Sequence, residues 1–332
     1  MIKNLLFFLC LILNISKDNS LNSTRNLRVK PEKYVPTQPI RWTAKHGDMP
    51  YQVSLKKESG GLRGKKFKVK KSSLYKSFCS GSIIGPKIVI SSVHCFEDVN
   101  FCHKLCGGKI STQTLSHLYA VAGGLKDPGF VKHFDTYQYG QWRKIERLRH
   151  PPDYKFPNHD VAVLFLRSAF KYNKYVKSIP IATKFADYRG KCVVAGYGPQ
   201  KTSFFSRNLF VARVSLISAH QCSMKYHKSM NGFICISHKN AGLAKTDSGG
   251  PLVCSKTGDP NEGTGGVLVG VLSRDKNNIA LFCSRVSFFA KFINESIINS
   301  GYRSKIQIIL IIIYNKLLLL VIIRTFIGFY SL

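Results

Sequence analysis

The sequence has few acidic residues and lacks the short motifs of several common protein classes. Its 332 residues contain 17 Asp and Glu against 50 Lys and Arg, a formal net charge of +33. It has no CxxC pair, no HExxH and no glycine-rich phosphate loop, which argues against zinc fingers, zincins and P-loop proteins. Hydrophobic residues still make up 44% of the chain, so we expect a globular protein. Ten cysteines are too many for an ordinary cytosolic enzyme.

The first residues have the pattern of a secretory signal peptide. Lys3 precedes the apolar stretch Leu5–Ile15, which is short for a membrane span, and polar residues follow at once. We expect a signal peptide over 1–16, the alternative being a core helix. A polar pro-segment or linker follows over 17–39 and contains the glycosylation sequon at Asn22. The sequence therefore predicts a secreted protein in a compartment where disulfides persist.

From about residue 51 the chain changes to short apolar runs that are rich in Val, Ile and Phe and separated by glycine. Such runs predict the strands of an all-β barrel or sandwich. Clear examples are Tyr51–Leu55, Ile83–Ile90, Val161–Leu166 and Cys192–Ala195. One amphipathic helix is predicted over Phe288–Ser300, with Ser287 as its N-cap.

Three short motifs contain candidate catalytic residues. His94 lies in SSVHC, Asp160 in HDVAVL and Ser248 in TDSGGP. A serine hydroxyl is a weak nucleophile and needs an imidazole to accept its proton, and the imidazole needs a buried carboxylate to fix its tautomer. The chain order His, Asp, Ser differs from that of subtilisin and of the α/β-hydrolases.

These motifs belong to a longer ordered set: YQVSL, CSGSIIG, SSVHC, HDVAVL, CVVAGYG and DSGGPLVC. Through them the segment 40–300 resembles a chymotrypsin/trypsin-like serine protease domain. The resemblance implies an all-β fold of two packed six-stranded antiparallel β-barrels, with a C-terminal helix and the site between the barrels. It also implies a secreted serine endopeptidase that acts on proteins and peptides. We expect it to act as a monomer and without a cofactor or metal.

The resemblance assigns a role to each candidate. His94 is the general base and then the general acid, Asp160 orients it, and Ser248 attacks the carbonyl carbon. The backbone N–H groups of Thr246 and Ser248 form the oxyanion hole, and Ser273 supports Asp160. The alternative is that His94 is a packed core histidine and Asp160 a strand cap.

The same resemblance places Ser273, Gly242, Asp275 and Leu281 at the substrate-binding pocket. Gly242 lies at the pocket base, where a trypsin-like enzyme carries Asp, so the pocket has no charge there for Lys or Arg. Leu281 would make the pocket shallow, although Asp275 could attract a base at its rim. We therefore expect a small or medium apolar residue before the scissile bond.

Cysteine positions fit the family pattern. The implied pairs are Cys79–Cys95, Cys192–Cys254 and Cys222–Cys235. Cys102 and Cys106 are four positions apart and could close a small loop. Cys283 is then left over, as a buried apolar thiol or, less simply, a reactive one.

Two departures put the activity in question. The family is activated by cleavage that frees an Ile-Val-Gly-Gly-like terminus, whose amine pairs with the residue that corresponds to Asp247. Here Ile40 follows Pro39 and no such tetrapeptide exists, so Asp247 would be a buried charge in need of a partner. Thr246 also stands where the family has glycine. The alternative function is a catalytically impaired homologue that binds or regulates other proteins.

A basic loop and an apolar tail complete the chain. Lys56–Lys71 has eight basic residues and only Glu58, which suggests an exosite for an acidic protein or a sulfated glycan; a solvated loop is the alternative. Nucleic acid is not an expected partner. The tail 301–332 is of uncertain role: Ile306–Ile323 has the length of a membrane anchor but carries Lys316 near its middle. The alternatives for this tail are a lipid-anchor signal and an error in gene prediction.

Overall fold

The computed structural model describes residues 41–59, 74–97, 115, 117–127, 131–132, 140–188, 190–198, 207–237, 247–274 and 281–300. All of them belong to one compact unit, Pro39–Leu332. The proposed signal peptide and pro-segment, the tail and most of the basic loop lie outside these residues.

Six strands close into a first antiparallel barrel. In chain order they are β2 (Gln52–Ser59), β3 (Leu74–Gly85), β4 (Ile88–Ser91), β5 (Leu118–Ala122), β8 (Gln141–Arg149) and β9 (Ala162–Leu166). They pair in the order β2-β5-β8-β9-β4-β3, and β3 pairs back onto β2. Two short strands stand outside this ring, β6 (Lys126–Asp127) and β7 (Val131–Lys132), and β7 extends the sheet from β3.

A second antiparallel barrel has the same closed form. Its strands are β10 (Lys191–Gly196), β12 (Phe210–Ile217), β13 (Phe233–Ser237), β14 (Pro251–Ser255), β15 (Val267–Arg274) and β16 (Leu281–Arg285). They pair in the order β12-β10-β14-β15-β16-β13, and β13 pairs back onto β12. β1 (Arg41–Thr43) joins the outer side of β12, and β11 (Arg207–Asn208) pairs with β6 of the first half. The predicted fold of two six-stranded barrels is confirmed.

The apolar runs form these strands because each lies in a barrel wall with its side chains in the core. Every residue of β9 is buried, and β9 lies between β8 and β4. The run at Ile83–Ile90 is interrupted by Gly85 and Pro86, where β3 turns into β4.

Helical segments are short. A 3-10 helix, Val93–Phe96, carries His94, and α1 (Ala219–Tyr226) begins after Ser218, whose Oγ accepts a hydrogen bond from Gln221 N at 3.2 Å. The closing helix α2 spans 290–300. The prediction that Ser287 caps this helix is wrong, because Ser287 lies inside a 3-10 turn, Val286–Phe289, that precedes α2.

Three disulfides connect six of the seven described cysteines, and all three are pairs that the family resemblance implies: Cys79–Cys95, Cys192–Cys254 and Cys222–Cys235. Cys283 is a buried free thiol, and burial raises its pKa. Cys102 and Cys106 lie outside the described residues.

Across the described segments, no helix is long and apolar enough to cross a membrane. The candidate anchor Ile306–Ile323 is not among them.

Candidate active site

The site is organised around a pair formed by His94 and Asp160. The imidazole Nδ1 lies 2.7 Å from Asp160 Oδ2, and the backbone N–H of His94 donates to Oδ1 of the same carboxylate at 2.9 Å. Both contacts together fix the ring relative to the carboxylate. Because a carboxylate oxygen accepts the hydrogen bond in this contact, Nδ1 carries the proton. The other ring nitrogen, Nε2, is then left as a base.

Asp160 has no exposed surface, and hydrogen bonds from neighbouring groups reach both its carboxylate and its main-chain oxygen. Ser273 Oγ donates to Oδ2 at 2.5 Å, on the oxygen that also faces the imidazole. Ser284 Oγ donates to the main-chain oxygen of Asp160 at 3.0 Å. A buried carboxylate oxygen needs such hydrogen-bond partners, because it has no access to water. The side chain of Ser273, which is predicted to support Asp160, contacts the carboxylate directly.

Ser248 lies in a tight turn, 247–250, that ends immediately before β14. Gly249 has φ +80°, and a Cβ there would lie 2.2 Å from Ser91 Oγ and 2.4 Å from Ser80 O. Only glycine fits both the backbone conformation and the space. Gly250 N donates back to Asp247 O at 3.0 Å, which closes the turn.

Contacts to this turn bring the histidine and the serine segments together. Ser80 N donates to Ser248 O at 2.8 Å, and Sγ of Cys95, the residue after His94, lies 3.8 Å from the same oxygen. The main-chain oxygen of Leu272 accepts from Gly249 N at 2.7 Å and from Ser92 Oγ at 2.9 Å. The next residue of β15 is Ser273, so two consecutive residues of this strand contact the segments that carry all three candidates.

Asp247 is buried, and two of its partners are backbone N–H groups. Its Oδ1 accepts from the backbone N–H of Tyr197 at 2.7 Å and of Gly198 at 3.2 Å. A Cβ at Gly196 would lie 2.3 Å from the carboxyl carbon of Asp247, so this glycine is needed for the close approach. The CVVAGYG motif thus ends at residues that bond to Asp247 in the turn 247–250.

Several predicted site residues lie outside the part of the chain that the structure describes. These are Thr246, Gly242 and Asp275. Leu281 begins β16, where its backbone pairs with Ile236 and Arg274, but its side chain is not among those described. The oxyanion hole and the specificity pocket therefore remain predictions.

Two contacts of the site have no signal in the sequence. The ring of Phe156 lies edge-to-face with His94, with centroids 5.3 Å apart. A single aromatic in a loop before Pro157 gives no pattern that would reveal this contact. Ser284 is missed for the same reason, because it bonds to the backbone of Asp160 and belongs to no motif.

One group of possible metal ligands occurs among the residues that the structure describes. It comprises Cys79, His94 and Cys95. Both sulfurs belong to a disulfide, so neither is a thiolate that could bind an ion.

The fold defines the class of protein, and comparison with known families agrees with it. The model of the Trypsin family matches residues 42–293, which is most of the chain. The protein belongs to this family of serine proteases.

Individual relatives are distant. The chain is 27% identical over 220 residues to rat "Transmembrane protease serine 9", covering 63% of this chain and 17% of that protein. It is 24% identical over 201 residues to "Trypsin alpha" of Drosophila melanogaster, covering 59% of this chain and 66% of the fly protein. The chain thus spans less than two thirds of the length of either relative. The solved structure of neuropsin, a serine protease of mouse brain, matches 77% of this chain and 98% of its own with a TM-score of 0.53 and 19% identity, which shows the shared fold.

Proposed function

We propose that the protein is a serine endopeptidase that hydrolyses peptide bonds through Ser248, His94 and Asp160. The observation that carries the proposal is the His94–Asp160 pair, which has hydrogen bonds on both carboxylate oxygens and a third donor in Ser273. An imidazole held in this way is the base that a serine nucleophile requires.

The reaction follows from these groups. Nε2 of His94 takes the hydroxyl proton of Ser248 as Oγ bonds to the substrate carbonyl carbon. The C–N bond then breaks, the leaving amine takes that proton from His94, and an acyl group remains on Ser248. Water loses a proton to His94 as its oxygen bonds to the acyl carbon; the bond from that carbon to Ser248 Oγ then breaks, and Oγ takes the proton back from His94, which restores both residues. The negative charge of Asp160 stabilises the imidazolium during both steps.

For specificity, we propose an apolar rather than a basic residue before the scissile bond. Gly242 at the pocket base carries no charge, and Leu281 would narrow the pocket. Cleavage sites mapped by mass spectrometry in a peptide library test this. A dominance of Lys or Arg before the cut would contradict it, and a Gly242→Asp variant should shift the preference toward those residues.

Hydrolysis itself is tested with Ser248→Ala, His94→Ala and the double variant. Each single change should abolish hydrolysis of an activated ester or peptide, and the double variant should lose little more, because the two residues act as one unit. Ser284→Ala is a matched control, since it removes a buried hydroxyl near the site without touching the reacting atoms. Single changes that leave hydrolysis intact would contradict the assignment.

A second candidate is an impaired homologue that binds or regulates proteins. Thr246 and the missing activation sequence favour it, because a β-branched residue stands where the family has glycine and a backbone oxyanion donor. If Thr246 hampers that donor, Thr246→Gly should raise turnover by about 10²-fold, with a smaller effect on KM. Unchanged turnover would mean that the backbone already donates.

We also propose that the basic loop binds an acidic partner, with one correction to its extent. Lys56 does not belong to that surface, because its side chain is buried and its Nζ contacts Asp127. Lys57 and Lys76 are half-buried and lie directly opposite each other on β2 and β3. Like charges in this arrangement repel, and an anion between them would relieve the repulsion.

The acidic partner is tested with Lys57→Glu/Lys76→Glu. Wild-type protein should bind heparin or an acidic peptide in a salt-dependent way, and the variant should bind at least tenfold more weakly. Lys225→Glu/Lys228→Glu, which makes the same change in net charge, is the control, as both residues are exposed on the second barrel, on α1 and just after it. Equal loss in both variants would show that only net charge matters. Heparin and the acidic peptide, used separately, identify which class of partner is preferred.

Secretion is proposed from the N-terminal pattern, and the three disulfides support it, since such bonds persist in oxidising compartments. Expression of the full chain should place mature protein in the medium with its new N-terminus near residue 17. A size shift with a glycosidase, absent in Asn22→Gln, would test the sequon. Protein retained in the cytosol with reduced cysteines would contradict the proposal.

A further inference from the structure

A buried cluster of polar side chains lies in the first half of the molecule and takes no part in the steps above. Lys56 Nζ is 2.5 Å from Asp127 Oδ1 and 2.9 Å from Ser77 Oγ. Ser77 Oγ donates to the same Asp127 oxygen at 2.7 Å, and the Ser54 hydroxyl lies 2.7 Å from Ser77 Oγ. The side chains of Lys56 and Asp127 are 5% and 1% exposed. The cluster therefore ties β2 and β3 to β6 inside the protein.

Stability alone does not account for this pair. Removing two charges from water is costly, and apolar side chains of similar volume often replace a buried ion pair without loss of stability. What such a pair does provide is a defined geometry, because each hydrogen bond fixes a direction and a distance. Here that geometry aligns β3 with β6.

On one side the cluster holds β3, which contacts the nucleophile. Ser77 is three residues before Ser80 on this strand, and Ser80 N donates to Ser248 O at 2.8 Å. The disulfide from Cys79, between them, leads to Cys95 beside His94. β3 is thus hydrogen-bonded directly to the main chain of Ser248.

On the other side the cluster holds β6. The turn before β6 contacts Tyr197, a residue that is hydrogen-bonded to Asp247. Gly124 O, in that turn, accepts from the hydroxyl of Tyr197 at 3.1 Å. The backbone N–H of Tyr197 donates to Asp247, the residue before Ser248, at 2.7 Å. The backbone of Asp127 itself pairs with Arg207 in β11.

We propose that Lys56 and Asp127 are positioning residues for the turn 247–250, which carries Ser248. Their ion pair fixes β3 against β6, and so aligns two hydrogen bonds that hold the turn, Ser80 to Ser248 and Tyr197 to Asp247. This role rests on the proposed peptidase function, and it explains why a lysine and an aspartate are retained at buried positions where apolar side chains would pack.

The test separates positioning from stability. In Lys56→Met/Asp127→Leu the ion pair is replaced by apolar groups, so the thermal midpoint should stay near that of the wild type. We expect kcat on a peptide substrate to fall by about 10²-fold, the loss that follows from a small displacement of reacting groups, with little change in KM. The single variant Lys56→Arg keeps the positive charge and the hydrogen-bond donors, so it should retain most of the wild-type activity.

Asp259→Asn is the matched control. Asp259 is also a buried carboxylate, but its oxygens accept from Thr183, Lys184 and Asn261 in a loop of the second barrel. It should lose stability without a specific loss of kcat. A double variant at Lys56 and Asp127 that is folded and retains wild-type kcat would overturn the proposal.

A measurement that needs no turnover distinguishes failure of this proposal from failure of the peptidase function. In a Ser248→Ala background, amide hydrogen exchange at Ser80 and Tyr197 reports the two hydrogen bonds of the turn. Faster exchange at both amides after the Lys56→Met/Asp127→Leu change supports the role even in an inactive protein. Unchanged exchange at these amides overturns it.

Discussion

Replacing Ser273 by alanine tests how the active site supports its buried carboxylate. The hydroxyl of Ser273 donates to Asp160 Oδ2 at 2.5 Å, and the same oxygen faces His94 Nδ1 at 2.7 Å. In Ser273→Ala this oxygen loses one of its two partners, and no water reaches it easily because Asp160 has no exposed surface. The carboxylate would then be less well fixed and less well stabilised.

The expected magnitude follows from the kind of hydrogen bond lost. A hydrogen bond to a charged group contributes about 1.5–3 kcal/mol, and each ~1.4 kcal/mol is a factor of ten in rate. If most of that stabilisation acts on the imidazolium that forms in the transition state, kcat/KM should fall by about 10- to 10²-fold. The assay is the second-order rate of peptide hydrolysis, normalised to the concentration of titrated sites.

Ser284→Ala is the control for this prediction. Ser284 is equally buried, but its hydroxyl donates to the main-chain oxygen of Asp160 and not to the carboxylate. It should cost about 0.5–1.5 kcal/mol of folding stability and change kcat/KM much less. Equal losses of kcat/KM in the two variants would refute the argument that Ser273 acts on the carboxylate charge.

Three further outcomes are expected. Gly249→Ala should abolish activity and lower the thermal midpoint, because the new Cβ would lie 2.2 Å from Ser91 Oγ; normal activity would refute this. Loss of the Cys192–Cys254 disulfide, which closes a loop of 62 positions, should lower the free energy of unfolding by about 4 kcal/mol. Loss of Cys222–Cys235, which closes 13 positions, should lower it by about 3 kcal/mol. Chemical unfolding measures both, and the opposite order would contradict the dependence on loop length. Cys283 is fully buried with a raised pKa, so peptide mapping after alkylation of the native protein should leave it unmodified, and ready labelling at neutral pH would contradict its burial.

Much of the fold follows from local sequence patterns. The apolar runs at Tyr51–Leu55 and Cys192–Ala195 became parts of β2 and β10, as their composition predicts. β8 is harder to recognise, because its apolar residues Trp142, Ile145 and Leu148 recur every third position, which is closer to a helical than to a strand period. A bulge between Ile145 and Arg147 shifts the register and reconciles this spacing with a strand.

The site could be recognised only in part. His94 and Asp160 are 66 positions apart, and no local pattern places them together; the family resemblance supplied that pairing. Nothing in the sequence indicates the ion pair of Lys56 and Asp127, 71 positions apart. Lys56 begins a run of basic residues, which is typical of solvated surface, and only the tertiary fold turns its side chain inward.

Reaction with a fluorophosphonate tests directly whether Ser248 is an activated nucleophile. Purified, secreted protein with intact disulfides should be treated with this reagent, and the modified peptide and the N-terminus of the labelled chain sequenced. We expect one adduct, on Ser248, that is absent in Ser248→Ala and strongly reduced in His94→Ala. A folded protein that forms no adduct, whatever trimming it receives between Arg25 and Arg41, would mean that Ser248 is not activated and would favour the impaired homologue.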